Sequence, residues 1–268
     1  TLSDGQKGKA DSFPLIDQME EAGMKIPIVQ KDYFGCPKEL EFPQTEAEYT
    51  YSFINRLEKG AAIYLLMEPG TLLGQWTIWV NGRACTAADF SPYPVYAPSN
   101  LGVDITKDVL EGENQIKLEI KSDASFGGIR NPLYLQGRFA VEADGGRMVL
   151  TPEKCKGTIG NLTGCGLPFY GGSVEFIKRI PDEVTAGMGE EETVCIAIKD
   201  PAFHESLGIK AGAETLDVCP YAPYRFQVPA GILRKYGEIT LCVDTSLDRM
   251  FEGEYFNEKH HRYEKVFD

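Results

Sequence analysis

Residues 115–121 read Gln115-Ile116-Lys117-Leu118-Glu119-Ile120-Lys121. Apolar and charged side chains alternate strictly. An extended chain therefore places Ile116, Leu118 and Ile120 on one face and Lys117, Glu119 and Lys121 on the other. That pattern predicts a β-strand with one dry face and one wet face, as in an antiparallel sheet that covers a core on one side only. Gly112-Glu113-Asn114 just upstream is a turn signal, so the chain reverses before it enters the strand.

Working outward, other stretches give the same period. Tyr49-Thr50-Tyr51-Ser52-Phe53-Ile54 alternates large and small side chains, and Ala62-Ile63-Tyr64-Leu65-Leu66-Met67 is a nearly continuous apolar run closed by Glu68-Pro69-Gly70. Trp76-Thr77-Ile78-Trp79-Val80 ends in Asn81-Gly82, a strong hairpin signal because both turn residues tolerate positive φ. Leu133 to Val141 supplies one or two further strands. One short helix is expected near the start, from Pro14 to a Gly23 stop, and long helical periodicity is missing after it. These signals describe an all-β chain.

The chain also resembles itself. Phe53-Ile54-Asn55-Arg56-Leu57 recurs as Phe176-Ile177-Lys178-Arg179-Ile180, and Ile116 to Ile120 lines up with Ile239 to Val243, both 123 positions apart. A Tyr-Pro loop precedes the second match in each copy: Pro92-Tyr93-Pro94-Val95-Tyr96 and Pro220-Tyr221-Ala222-Pro223-Tyr224. Two copies of one β module are expected, joined across about Asp144 to Leu167. In the second copy Ala211-Gly212 stands where the first has Asn-Gly.

Composition narrows the function. Among 268 residues the net charge is −13, which repels a phosphate backbone and argues against nucleic acid or an anionic membrane as partner. No apolar run approaches the roughly 20 residues of a membrane-spanning helix. No signal peptide precedes Thr1, although a chain that opens on Thr reads as a piece of a longer polypeptide. The seven cysteines are odd in number, widely spaced and free of any C-x-x-C pair. They read as reduced structural thiols and lean toward a cytoplasmic setting. Cys195 and Cys242 in particular lie in apolar strand contexts, where a thiol behaves as a small buried hydrophobe.

The order of these signals resembles the sugar-binding jelly roll of glycoside hydrolase family 2 and the related modules of family 106-like rhamnosidases. The residues that carry the likeness are Asn81-Gly82, the aromatic loop, Asp104-Ile105-Thr106, Leu110 to Ile116, and Gly127-Gly128-Ile129 followed by Pro132-Leu133-Tyr134-Leu135. In the second copy, Leu167-Pro168-Phe169-Tyr170-Gly171-Gly172-Ser173-Val174 resembles the entry strand of large bacterial members. The resemblance implies two tandem antiparallel, galactose-binding-like β-sandwiches at 26–143 and 144–250. A helical and linker segment at 1–25 and a polar tail at 251–268 flank them. It does not transfer catalysis, because in such enzymes the acid and base lie in a separate barrel domain.

Candidate chemistry follows. With 40 Asp and Glu residues, some carboxylate pair at glycosidase spacing is guaranteed, so no pair is singled out and no catalytic residue is assigned. Glu190-Glu191-Glu192 reads as a solvated loop. His260-His261 with His204 could ligate a metal, but a polar tail explains the pair as well, and no metal ligand is assigned. No cofactor is expected. Modules of this kind can hold a structural Ca²⁺, for which the spacing identifies no loop. Sugar binding needs an exposed ring and planar polar groups. Trp79, Arg83, Tyr93, Tyr96, Phe126, Arg130 and Asn131 are the set near the expected loops, and core or interface packing is the competing reading for each aromatic. Alternation separates Trp79 from Trp76, which is expected to face the core. The expected function is a non-catalytic region of a large bacterial glycoside hydrolase whose partners are carbohydrate or the catalytic domain of the same polypeptide. A stand-alone carbohydrate-binding module is the alternative, and a hydrolase in its own right a more remote one.

Overall fold

The computed structural model describes residues 7–8, 15–24, 29–31, 39–41, 44–123, 127–154, 156–159, 162–199, 205–245, 247, 250, 254–257 and 262–265. The fold is all-β with a short N-terminal helix, and the chain divides into two compact units, Thr1–Glu153 and Lys154–Asp268.

In the first unit, α1 (Leu15–Glu21) precedes a small ladder of β1 (Val29–Lys31) and β2 (Glu39–Glu41). Next come β3 (Thr45–Asn55), β4 (Ile63–Met67), β5 (Leu72–Leu73), β6 (Gln75–Val80) and β7 (Arg83–Cys85). The strands β8 (Ser91–Pro92), β9 (Leu101–Asp104), β10 (Gly112–Ser122) and β11 (Gly128–Ile129) follow. β12 (Tyr134–Gly137), β13 (Ala140–Asp144) and β14 (Arg147–Thr151) complete the unit. A six-stranded sheet, β13-β14-β3-β10-β6-β7, faces a four-stranded sheet, β12-β4-β9-β8.

Alternation decides what lies between the sheets. Ile116, Leu118 and Ile120 of β10 and Ile78 and Val80 of β6 meet Ile63, Leu65 and Met67 of β4 and Val103 of β9 in one core. Trp76 packs against that core, edge-on to Phe90 at 5.9 Å, whereas Trp79 points to the opposite face. Met19 of α1 joins the same core, and Gln18 accepts a 2.6 Å hydrogen bond from the Tyr49 hydroxyl. One strand departs from the antiparallel rule: β14 runs parallel to β3, with Met148 beside Phe53. The β13–β14 hairpin, which a boundary at 143 would divide, belongs wholly to the first unit.

In the second unit the strands are β15 (Ser173–Arg179), β16 (Thr193–Ala197), β17 (Ser206–Ala211), β18 (Glu214–Cys219) and β19 (Arg225–Pro229). Helix α2 (Ala230–Tyr236) leads into β20 (Glu238–Asp244). A four-stranded sheet, β15-β20-β17-β18, packs through Leu207, Ile209, Leu241 and Val243 against Phe226 and Val228 of the β16–β19 pair. Its strand order repeats β3-β10-β6-β7, and β16–β19 repeats β4–β9. The sequence match is only partly a structural one. Leu118 faces Tyr49 and Leu241 faces Phe176, a separation of 127 positions rather than 123. The β17–β18 turn is Gly212-Ala213, not Ala211-Gly212: Ala211 pairs with Glu214, and Gly212, at φ 58°, takes the first turn position that Asn81 holds at φ 47°.

Two elements go beyond the sequence expectations. Helix α2 escapes a search for long periodicity because it is two turns, although Pro229 before it and Gly237 at φ 68° after it are ordinary boundary residues. The polar tail at 251–268 contains a hairpin, β21 (Glu254–Asn257) with β22 (Arg262–Lys265). Among the cysteines, Cys85, Cys165 and Cys242 are buried and free, but Cys195 is exposed because it alternates with Val194 and Ile196 onto the outer face. Cys36 and Cys155 lie outside the described residues.

Asn114 holds the turn that starts β10. It is buried, its Oδ1 accepts the Leu110 amide at 2.7 Å, and its Nδ2 donates to the Leu110 and Gly112 carbonyls. Asn114→Ala strands these groups and is expected to cost about 1–3 kcal/mol. Glu113→Ala loses only an exposed pair with Arg147 and should cost less than about 1 kcal/mol. Both tryptophans lie in the first unit, so urea unfolding followed by indole fluorescence reads the difference.

Candidate functional site

Three groups of residues around the first sandwich gather the chemistry expected from the sequence. The first closes one end. Asn81 donates through Nδ2 to the Asp108 carbonyl (2.8 Å) and to Asn114 Oδ1 (2.7 Å), and its own Oδ1 accepts the Gln115 amide. Asn55 donates to the Leu110 carbonyl from the neighbouring strand. Asp104 accepts the Thr106 amide at 2.9 Å, and the Thr106 hydroxyl accepts the Ile63 amide at 3.0 Å. Arg83 spans this corner, bonding the Asp104 carbonyl and the Asp108 carboxylate. The hydrogen bond from Thr106 holds the Asp104 carboxyl below its usual range. Arg83, expected as a sugar contact, thus braces the turn while its side chain remains 41% exposed.

The second group covers the outer face of the smaller sheet. Tyr64 and Leu66 point away from the core, and the loop after β8 folds back over them. Tyr93 stacks on Tyr64 with ring centroids 4.5 Å apart and donates from its hydroxyl to Gln136 Oε1 at 3.1 Å. Gly102 makes room for it, since a Cβ there would lie 2.8 Å from the Tyr93 Cβ. Tyr96 meets Tyr134 edge-on at 5.7 Å. Asn100 pins the loop by accepting the amides of Val95, Tyr96 and Ala97. Leu66 beneath is 1% exposed although it is not part of the main core. Burial, followed by the nearby Glu68 carboxylate, pushes the Tyr96 phenol up to about 12. The Glu68–Thr71 turn carries the Arg130 amide, which donates to the Thr71 carbonyl at 2.7 Å. Arg130 is exposed and Asn131 half-buried. Tyr93 and Tyr96 therefore share one packed layer, and Arg130 and Asn131 lie on the segment between β11 and β12.

The third group is the outer face of the six-stranded sheet. Trp79 is half-buried, donates from its indole to Glu119 Oε2 at 3.0 Å, and has the Lys117 ammonium 5.5 Å from its ring centroid. Lys117 also pairs with Glu119 at 2.6 Å and Glu48 at 3.6 Å, and Lys121 pairs with Glu46 at 2.7 Å. This face offers one aromatic plate held at a fixed angle among carboxylates and ammoniums.

The structure thus brings Tyr93 and Tyr96 into one layer, leaves Trp79 and Arg83 in two other groups, and places Arg130 and Asn131 on the segment whose Arg130 amide bonds Thr71. Phe126, His204, His260 and His261 lie outside the described residues. Tyr64, Tyr134 and Gln136 were not singled out from the sequence. The alternation in Ile63-Tyr64-Leu65 could have placed Tyr64 outward, but its partners depend on a loop that no local signal aims. Among the described residues no group of three or more His, Cys, Asp or Glu is placed to hold a metal ion, and no helix is long and apolar enough to cross a membrane.

No family model matches the chain, and no curated protein matches it. Glycoside hydrolases are among the solved structures to which it is similar. One is a β-glucuronidase of an uncultured Clostridium sp., at 11% identity and TM-score 0.25, covering 70% of this chain and 30% of that one. An FMN-binding β-glucuronidase from Facaelibacterium prausnitzii L2-6 gives 14% identity and TM-score 0.25, covering 75% and 27%. An α-L-rhamnosidase from Dictyoglumus thermophilum gives 8% identity and TM-score 0.20, covering 81% and 32%. The chain spans less than a third of each of these structures.

The ammonium of Lys117 and the indole of Trp79 both favour ionised Glu119, holding its carboxyl below the ordinary value of 4.5. These contacts are therefore complete above the ordinary range and are lost as pH falls through the lowered value. In a Trp76→Phe background, Trp79 fluorescence is expected to titrate with a midpoint below 4.5, and Glu119→Gln should abolish that transition.

Proposed function

We propose that this chain is a non-catalytic β-sandwich region of a large bacterial glycoside hydrolase, and that it buttresses or docks the catalytic domain of the same polypeptide. The observation that carries the reading is the use made of the residues that resemble family 2. Asn81, Arg83, Asp104, Thr106 and Asn114 all bond within the corner of the sandwich. What the resemblance transfers is then a scaffold rather than a reaction. The carboxylates around Trp79 support the same reading, since Glu46, Glu48 and Glu119 each face a lysine on an open sheet surface. Glycoside cleavage instead needs two carboxylates on opposite sides of one bond, about 5–9.5 Å apart.

The shared strand order, with two-residue hairpins at Asn81-Gly82 and Gly212-Ala213, supports reading the two units as copies of one module. The four-position displacement of β15 against β20 is then a register change between the copies.

A second reading, carbohydrate binding, rests on Trp79. A ring held by Glu119 and flanked by Lys117 presents an apolar plate beside hydrogen-bonding groups, as a pyranose requires. The tyrosine layer is a weaker place for a sugar, because Tyr64 and Tyr93 already stack on each other.

The isolated chain is expected to leave aryl glycosides intact. Turnover removed by a single carboxylate substitution would overturn the non-catalytic reading. Affinity gels cast with plant and bacterial polysaccharides test the second reading: retardation that saturates and disappears in Trp79→Ala supports it, and retardation that survives Trp79→Ala sinks it.

A further inference from the structure

The smaller sheet of the second unit is short of a strand. In the first unit β4 is flanked on both sides, by β9 and by β12, with Leu65 facing both Val103 and Leu135. In the second unit β16 has β19 on one side and, among the described residues, no strand on the other. Ile196 faces Phe226 as Leu65 faces Val103, which makes Val194, Ile196 and Ile198 the counterparts of Ile63, Leu65 and Met67. The side chains of the first unit are 1%, 1% and 5% exposed, whereas those of the second are only half-buried. The same inward positions are thus sealed where a third strand is present and open where it is missing. An unpaired strand edge also leaves backbone donors and acceptors without partners in the sheet.

A strand in want of an edge lies in the same unit. β21 pairs only with β22 among the described residues, so the hairpin has open edges of its own. Like β12, β21 follows the strand at the centre of the larger sheet, although β11 also lies between β10 and β12. Residues 123–133 separate β10 from β12, and residues 245–253 separate β20 from β21. Both strands have four residues, and Glu254-Tyr255-Phe256-Asn257 carries bulky side chains at its centre, as Tyr134-Leu135-Gln136-Gly137 does.

We infer that β21 is the missing strand and that it docks antiparallel on the free edge of β16, completing the smaller sheet of the second unit. The register of β12 on β4 assigns the facing pairs: Tyr255 takes the register position of Leu135, opposite Ile196, and Phe256 that of Gln136, opposite Cys195. Docking covers Val194, Ile196 and Ile198 and pairs the exposed amides of β16. The inference does not depend on what the first unit binds.

Cys195, exposed and free, supplies the probe. In the full chain, Phe256→Cys is expected to form a disulfide with Cys195 within one molecule under mild oxidation, identified by peptide mapping. Facing positions hold Cβ atoms within disulfide reach, so this link should form at least ~10-fold faster than with Tyr255→Cys, whose register position lies opposite Ile196 instead. A link found only between chains would overturn the inference in favour of a strand supplied by a second copy, and no link to Cys195 would overturn it outright. A second measurement avoids the cysteines. Tyr255→Pro removes a ladder donor, and exchange of the 193–197 amides should accelerate by about 10-fold or more. Unchanged exchange would show that β21 does not cover this edge.

Discussion

The first unit depends on β10. It is hydrogen-bonded on both sides, to β3 along its whole length and to β6 from Ile116 to Lys121. A strand in that position sets which way its neighbours face, because side chains opposite one another in a ladder share a face. Leu118 therefore commits Tyr49 and Ile78 to the inner side, and Lys117 commits Trp79 to the outer side. A slip of one residue would bury Lys117, Glu119 and Lys121 and expose three apolar side chains. The asparagine-bonded turn at Leu110 to Gly112 guards against it by anchoring the start of the strand.

That constraint explains what could be read in advance. The period of two in residues 115–121, the Asn81-Gly82 turn and the separation of Trp76 from Trp79 are all local, and each stands in the structure as the sequence indicates. What escaped reading is non-local. Nothing in Tyr93 or Tyr96 announces that their loop folds onto Tyr64 and Tyr134, since those contacts follow from pairing β4 with β9 and β12. The match between Phe53 and Phe176 is real as text, yet ladder partners are chosen by which faces can be buried, and β15 sits displaced on β20 as a result. The boundary read at 143 missed the β13–β14 hairpin because a parallel pairing with β3 leaves no signature near residue 147.

The candidate residues divide along the same line. Arg83 reads in the sequence as a planar polar group near a loop, and its neighbours in space are the carbonyl and carboxylate that a chain reversal leaves in need of a donor. Trp79 kept its outward place because alternation alone assigns it. Polar residues at a corner are poor guides to binding when the corner itself has unsatisfied backbone groups, and aromatics on a regular strand are better ones. The exposure of Cys195 follows the same logic: an apolar neighbourhood in sequence is not an apolar neighbourhood across a sheet.

The parallel seating of β14 on β3 has a consequence for synthesis. Phe53 and Met148 are adjacent in the sheet but about 95 positions apart in the chain, so the seam between them closes only after nearly all of the first unit has been made. Until then the nascent polypeptide carries Phe53 to Asn55 on a bare margin, the kind of surface that recruits chaperones or strays into pairing with another chain. A ribosome that stalls before residue 147 would release a product with most of its sandwich and an adhesive flank.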